Sequence, residues 1–309
     1  MNPAISVMTV IYNGQPFIER CYRNLLAQSF TNWEWVVVND GSTDATPQLL
    51  EDLRRREPRM RLVSAAHNRG RAQARTLAIQ HACAPWTAVW DVDDFYFPNR
   101  LERVDTARRQ GFDYYSSTAV VLDRKLRFLG VRGWHYPFPP SSIRAGCHAA
   151  LAFLTDLARQ IGYLPHLNTV GQIGEDVAIG FTLAVAKRGL LDGEPTFINV
   201  IGHEVFLRKS IDSNTVRMAY FREMFERGEL PLTREQFDRV LAADRRKLRI
   251  LKLLRLCPPL YPLIMSFRPR GRLIPAHQLT AEQLAFIDKC RGENGASPAG
   301  QVCPAAASS

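Results

Sequence analysis

The chain has 309 residues, 46% of them hydrophobic and 23% charged, which is ordinary for a soluble globular protein with a sizeable core. Its formal charge of +10 suits phosphate-bearing or anionic-membrane partners. Nothing approaches the roughly 18 apolar residues of a membrane span, no cleavable signal pattern precedes the first apolar run, and the scattered Cys21, Cys83, Cys147, Cys257, Cys290 and Cys303 form no CxxC pair, so reduced thiols in a cytoplasmic protein are expected.

In chain order, Ile5–Ile11 reads as a strand and Phe17–Gln28 as a helix with Ile18, Tyr22, Leu25 and Leu26 on its apolar face. Glu34–Val38 is a second strand, and Thr46-Pro47 opens a helix as a cap residue followed by proline at the first helical position. Arg61–Val63, Ala72–His81 and Trp86–Trp90 continue as strand, helix and strand. Such alternation predicts a parallel sheet with right-handed crossovers. The Gly-x-Gly-x-x-Gly turn is absent after the first strand, which argues against NAD or FAD. A helix from Pro98 to about Gly111 follows, then a hairpin of Tyr114–Leu122 and Leu126–Val131. An aromatic, proline-rich loop (Trp134–Pro140), a helix near Ala149–Ile161, a loop at Asn168–Gly174, a helix opened by Glu175-Asp176 and a strand at Thr196–Ile201 complete the pattern.

Two acidic turns stand out, Asn39-Asp40-Gly41-Ser42-Thr43-Asp44 and Asp91-Val92-Asp93-Asp94, each directly after an apolar run. Buried parallel strands read as such runs, and open α/β sheets bind ligands just beyond the strands' C-terminal ends. Adjacent carboxylates there repel one another without a cation, and their oxygens suit a hard divalent ion that in turn suits a phosphorylated substrate. Asp44 is placed either to cap or to precede the helix at Thr46, and Asp94 to cap the helix near Pro98. Arg71 and Arg75 share one predicted helix face within reach of a diphosphate, but Arg71 reads better as a solvated surface arginine.

These turns belong to an ordered series: Thr9-Val10-Ile11-Tyr12-Asn13-Gly14, Gln28-Ser29-Phe30, the Asn39–Asp44 turn, Asn68-Arg69-Gly70 with Ala74-Arg75, Asp91–Asp94 with Pro98 and Leu101, and Gly174-Glu175-Asp176. In this order the chain resembles the inverting family 2 glycosyltransferases, over roughly Ile5–Ser213. The resemblance implies the GT-A fold, a Rossmann-like mixed sheet flanked by helices. It further implies an inverting, metal-dependent transfer from a UDP-sugar, less readily a dTDP-sugar, to an acceptor hydroxyl in surface-glycan or lipid-linked oligosaccharide synthesis. In that family's pattern Asp40 takes the uracil N–H, Tyr12 lies on the base or ribose (a core tyrosine being the other reading), and Arg75 meets the diphosphate. Asp93 ligates Mg²⁺ or Mn²⁺, Asp91 contacts the ribose or the metal's water shell, and Asp176 is the general base, against a simple acidic helix start. Arg208, within Phe206–Ser213, stands where an arginine engages the diphosphate, though the segment lacks the family's tyrosine and histidine. His203 is either a third metal ligand or a structural histidine. No Gln-x-x-Arg-Trp occurs and no tryptophan follows Trp134, which implies non-processive transfer.

Between Arg222 and Arg272 there are thirteen Lys/Arg against six Asp/Glu. The leucine-rich basic run Arg245–Leu256 and the wedge Cys257–Met265 read either as an interfacial helix on anionic lipid or as a helix packed on the catalytic domain. No nucleic-acid module accompanies the charge. The expected organisation is therefore a catalytic domain over residues 1–215, a basic helical C-terminal extension over 216–290 and a small-residue, disordered tail over 291–309. The protein is expected in the cytoplasm, peripheral on the inner face of the membrane if the extension docks there. The alternative from another class is a catalytically silent nucleotide-sugar-binding scaffold at the membrane surface.

Overall fold

A computed structural model describes residues 2–123, 128–132, 148–163, 179, 183, 188–201, 218–219, 222–223, 225–228, 233–256 and 279–295. Strands β1 (Ile5–Ile11), β2 (Trp33–Asn39), β3 (Met60–Ser64) and β4 (Trp86–Val89) alternate with helices α1 (Ile18–Leu26), α2 (Thr46–Arg56) and α3 (Arg71–His81). They pair in parallel in the order β3-β2-β1-β4, with Val7 opposite Trp35 and Ala88. Both faces of this half are covered. Trp35 and Val37 of β2 enter one cluster with Ile18 and Leu25 of α1 and Leu50 and Leu53 of α2. Val36 and Val38 enter another with Ala72, Ala78 and Ile79 of α3. That is why β2 is a continuous apolar run rather than an alternating one.

The second half turns the sheet mixed. After β5 (Phe95–Tyr96) and α4 (Arg100–Arg109) come β6 (Tyr114–Asp123) and β7 (Phe128–Arg132), which pair as the expected hairpin. A 3-10 turn at His148–Ala150, β8 (Ala152–Leu154) and α5 (Thr155–Ile161) follow, then β9 (Gly189–Ile201). The sheet continues β4-β8-β6-β9-β5, with β8 antiparallel to both β4 and β6, and β9 parallel to β6.

The helix expected over Ala149–Ile161 is thus a turn, a strand and a shorter helix. Arg100 supplies the reason: its guanidinium donates to the carbonyls of Ala149, Ala150 and Leu151, and Leu151 O also accepts from Val89 N. Carbonyls held this way are taken out of a helical ladder. The strand expected over Thr196–Ile201 begins earlier, at Gly189.

Helix α6 (Arg234–Leu256) and helix α7 (Ala281–Gly295) lie in the C-terminal part. Leu279, Ile287 and Cys290 bury against Phe95, Val120, Leu122 and Ile198 of the sheet and Phe97 just after β5, with Phe286 and Phe97 ring centroids 4.8 Å apart. Residues 291–295, expected in the tail, are the last residues of α7, while 296–309 lie outside the described residues.

Candidate active site

The loops after β1 and β2 are stitched by side chains acting on backbone. Asn13 adopts a left-handed conformation (φ 51°). Its N–H donates to Ser42 Oγ at 2.9 Å and its Oδ1 accepts from Thr43 N at 2.8 Å. Thr46 is the first residue of α2 rather than its cap. Its N–H donates to Asp44 Oδ1 at 2.9 Å, while its own Oγ1 accepts from Gly14 N at 2.9 Å. Asp44 lies one residue before the N-cap, Ala45, which makes no side-chain cap bond, so of its two readings it precedes the helix, closing an Asx turn onto Thr46. Gly41 sits at φ +68°, where a Cβ would lie 2.3–2.6 Å from the backbone of His67 and Asn68. Only glycine permits that approach.

Asp40 is 2% exposed and clamps the same loop. Its Oδ1 accepts from Arg69 N at 2.9 Å and its Oδ2 from Gly70 N at 3.0 Å. A carboxylate has about four acceptor positions, so these bonds leave capacity for a further donor. It also borders a cavity of about 210 Å³ lined in addition by Val38, Ala65, Arg69 and Leu77. Tyr12 is 45% exposed, which removes the core-tyrosine reading.

The second acidic turn is anchored from behind. Asp91 N–H donates to Tyr96 Oη at 2.7 Å, and the Tyr96 ring stacks on Trp90 with centroids 3.9 Å apart. Asn24 of α1 holds the Tyr96 backbone at both ends, accepting from its N–H at 2.8 Å and donating to its C=O at 2.9 Å. Arg20 Nη2 donates to Asp93 O at 2.9 Å, and its guanidinium lies 4.2 Å from the Phe95 ring centroid. Asp94 is buried, 8% exposed, and accepts from Asn199 Nδ2 of β9 at 3.3 Å. It is not the helix cap expected near Pro98: α4 has Asn99 at its N-cap and no side-chain cap bond. Burial first, then the charges of Asp93 and Asp91, push the Asp94 carboxyl well above the usual carboxylate range, against the opposing pull of Asn199 and Arg20. A divalent cation at this turn would relieve that repulsion.

Arg75, 6% exposed, comes within 3.5 Å of Asp91 Oδ1 through Nη2, so two residues read separately from the sequence share one place. Among the described residues no three His, Cys, Asp or Glu side chains converge as a ready ligand set. Asp91 and Asp93 nevertheless supply hard carboxylate donors of the right chemistry for Mg²⁺ or Mn²⁺. Asp176, His203 and Arg208, like the Trp134–Pro140 and Asn168–Gly174 loops, lie outside the described residues. Arg20, Asn24, Tyr96, Arg100 and Asn199 escaped the sequence reading, because nothing in an isolated helix or strand pattern marks a side chain that holds another element's backbone.

The family model described as Glycosyl transferase family 2 matches residues 6–144. The chain is 35% identical over 101 residues to a putative teichuronic acid biosynthesis glycosyltransferase, TuaG, of Bacillus subtilis (strain 168), covering 33% of this chain and 40% of that protein. It is 39% identical over 112 residues to the succinoglycan biosynthesis protein ExoO of Rhizobium meliloti (strain 1021), covering 35% and 32%. It thus spans well under half the length of either relative. Among solved structures, S. aureus TarS 1-349 in complex with UDP aligns with TM-score 0.56 and 18% identity over 78% of this chain and 70% of that one. The mannosyltransferase PcManGT from Pyrobaculum calidifontis, in complex with GDP-Man and Mn2+, aligns with TM-score 0.59 and 18% identity over 96% and 82%. At such identities the alignments speak to fold, and the fold is GT-A.

Proposed function

We propose, from the match of residues 6–144 to the model of glycosyl transferase family 2, that the chain is an inverting glycosyltransferase moving one sugar per encounter from a nucleoside-diphosphate sugar, UDP before dTDP, to an acceptor hydroxyl in surface-polysaccharide or lipid-linked glycan synthesis. The observation that carries this reading is that Tyr12, Asp40, Asp91 and Asp93 stand just beyond the C-terminal ends of the neighbouring strands β1, β2 and β4, with Arg75 of α3 3.5 Å from Asp91. That edge is where the parallel half of such a sheet receives a nucleotide.

In this reading Asp40 accepts the base imide N–H with the capacity its loop clamp leaves, and Tyr12 lies along the base or ribose. Asp176 takes the proton of the acceptor hydroxyl as that oxygen bonds to the anomeric carbon and the bond to the diphosphate breaks. Arg75, with Arg208, meets the charge that develops on the departing diphosphate. A Mn²⁺ or Mg²⁺ ion, held by Asp93 and Asp91 with His203 as the third ligand, would supply further neutralisation of that diphosphate when bound. A neighbouring fold crystallised with UDP supports the uridine reading, and one with GDP-Man and Mn2+ supports the cation and places GDP donors in the test.

The test is a donor panel: the chain with Mn²⁺ and UDP-, dTDP- and GDP-sugars, scored for freed nucleoside diphosphate with acceptor glycans present. One donor is expected to turn over, and Asp176→Asn is expected to bring its transfer down by on the order of a hundredfold or more. Turnover unchanged in Asp176→Asn would remove that base. Nucleotide binding with no turnover on any donor would favour the silent scaffold.

The partner reading concerns α6. No described helix is long and apolar enough to cross a membrane. The exposed Arg245, Arg249, Lys252, Leu253 and Leu256 nonetheless fall on one side of α6 at helical spacing, and the two leucines are 66% and 82% exposed. Cations beside uncovered leucines suit an anionic lipid surface, about 1 kcal/mol for each basic residue near it. On this reading the protein is a cytoplasmic enzyme, peripheral on the inner face of the membrane. Co-sedimentation is expected with phosphatidylglycerol-containing vesicles but not with pure phosphatidylcholine, and is lost in Arg245→Glu/Arg249→Glu/Lys252→Glu. Equal recovery with both vesicles would contradict it.

A further inference from the structure

Behind Arg75 lies a buried polar pair that the chemistry above does not use. His148 opens the 3-10 turn, and Tyr163 follows Gly162, the residue with φ +68° that ends α5. The two side chains are 6% and 2% exposed, His148 Nε2 lies 2.7 Å from Tyr163 Oη, and the rings meet edge to face with centroids 5.6 Å apart. Among the described residues His148 Nδ1 is buried without a hydrogen-bonding partner. An orphaned buried polar atom is costly, on the order of 1–3 kcal/mol, and a leucine would fill this volume without it. What the imidazole adds at this position is its bond to the Tyr163 hydroxyl.

That bond fixes the tyrosine ring, and the ring faces Arg75, whose guanidinium carbon is 5.7 Å from its centroid. The same guanidinium meets Asp91 Oδ1 at 3.5 Å. Arg75 thus has both a π face and a carboxylate against it, the π face being itself bonded to His148. Burial, followed by the nearby charges of Arg75, Arg71 and Arg100, pushes the imidazole well below the usual histidine range, so at neutral pH it brings no additional positive charge to this arginine-rich corner.

We propose that His148 and Tyr163 are positioning residues that preset the Arg75 guanidinium at the Asp91 end of the site, where it meets the donor's diphosphate. The inference rests on the nucleotide-sugar reading and deepens it. An arginine already in place binds diphosphate without the ordering cost that a free side chain would carry.

The experiment is calorimetric titration of UDP, and separately GDP, in the presence of Mn²⁺, with melting temperatures recorded alongside. Tyr163→Phe, which keeps the ring, and His148→Leu are each expected to weaken binding about fivefold, the size of one net hydrogen bond. The double variant is expected to be no weaker than either single one. His148→Gln, whose amide can renew the bond to Tyr163, is expected to recover most of the loss. In an Arg75→Ala background neither substitution is expected to change affinity further, a result that a purely structural role would not give. For the donor that turns over, kcat/KM falls by at least the same factor and kcat falls with it, because Arg75 also meets the charge that develops on the departing diphosphate.

Additive effects, effects that persist in Arg75→Ala, or wild-type affinity in both His148→Leu and Tyr163→Phe would overturn this inference alone. Failure of the unmodified chain to bind either nucleotide would overturn it together with the functional reading beneath it.

Discussion

Asp93→Asn is expected to lower turnover on the order of a thousandfold, the scale on which removal of one charge-stabilising group from a transfer site acts, while leaving the fold intact. The two effects separate because of how the turn is built. Its backbone is fixed by Arg20 at Asp93 O, by Tyr96 at Asp91 N and, through Tyr96, by Asn24. Those bonds run through backbone atoms of the turn and persist with an amide at 93, while the Arg20 guanidinium loses the favourable charge of that carboxylate. The substitution also removes one of the negative charges that push Asp94 upward. The relief of Asp94 and the charge lost beside Arg20 oppose each other, so the melting temperature without added metal should change little, while the gain on adding Mn²⁺ shrinks. Initial rates and thermal unfolding on the same preparation check this. A variant within tenfold of the parent rate would show that Asp93 is not central to the chemistry.

Arg100→Met is expected to destabilise the protein by about 3–5 kcal/mol, the usual cost of leaving a buried charge network without one partner. Arg100 is fully buried and acts as an internal staple. Nη2 donates to Ala149 O at 2.8 Å and Val89 O at 3.1 Å, and Nη1 to Thr196 Oγ1 at 3.0 Å. It joins α4, the end of β4, the 3-10 turn and β9. Methionine fills a similar volume but leaves those acceptors dry. Burial lowers the Arg100 pKa, and Tyr96, Tyr115, Asp91 and Asp94 oppose that shift, so the guanidinium is also counter-charge for the acidic turn. Its carbon lies 4.9 Å from the Tyr96 ring that holds Asp91, and activity should fall together with stability. Lysine should not rescue, because a single ammonium cannot reproduce the planar fork. Urea midpoints measure the loss, and a change under about 1 kcal/mol would contradict this role.

The parallel half was legible in the sequence because its signals are local. Trp35–Val38 is apolar without alternation, since α1 and α2 cover one face of β2 and α3 the other. The acidic turns stand immediately after such strands, so Asp40, Asp91 and Asp93 could be placed at one edge from spacing alone. Asp94 shows where this stops. As a short acidic residue ahead of a helix it carries the signature of a cap, yet its partner is Asn199, 105 positions away in sequence. The Ala149–Ile161 segment has the composition of a helix, but its first carbonyls are claimed by Arg100 of α4, and Ala152–Leu154 is drawn between β4 and β6. Arg100 itself reads as one more arginine in Arg100–Arg109, and only tertiary packing makes it the most buried of them. Tyr12 could not be assigned to core or surface from its neighbours, and its exposure decides it.

That the two acidic turns hold a nucleoside diphosphate, the second with a divalent cation, underlies every role proposed above. It is tested most directly by titrating UDP into the unmodified chain with Mn²⁺ and again with EDTA. Saturable one-to-one binding in Mn²⁺, weakened at least about tenfold in EDTA, is the predicted result, a loss of about 1.4 kcal/mol or more. Identical isotherms in the two buffers would contradict the cation's part, and absence of binding in both, for GDP as well, would contradict the site.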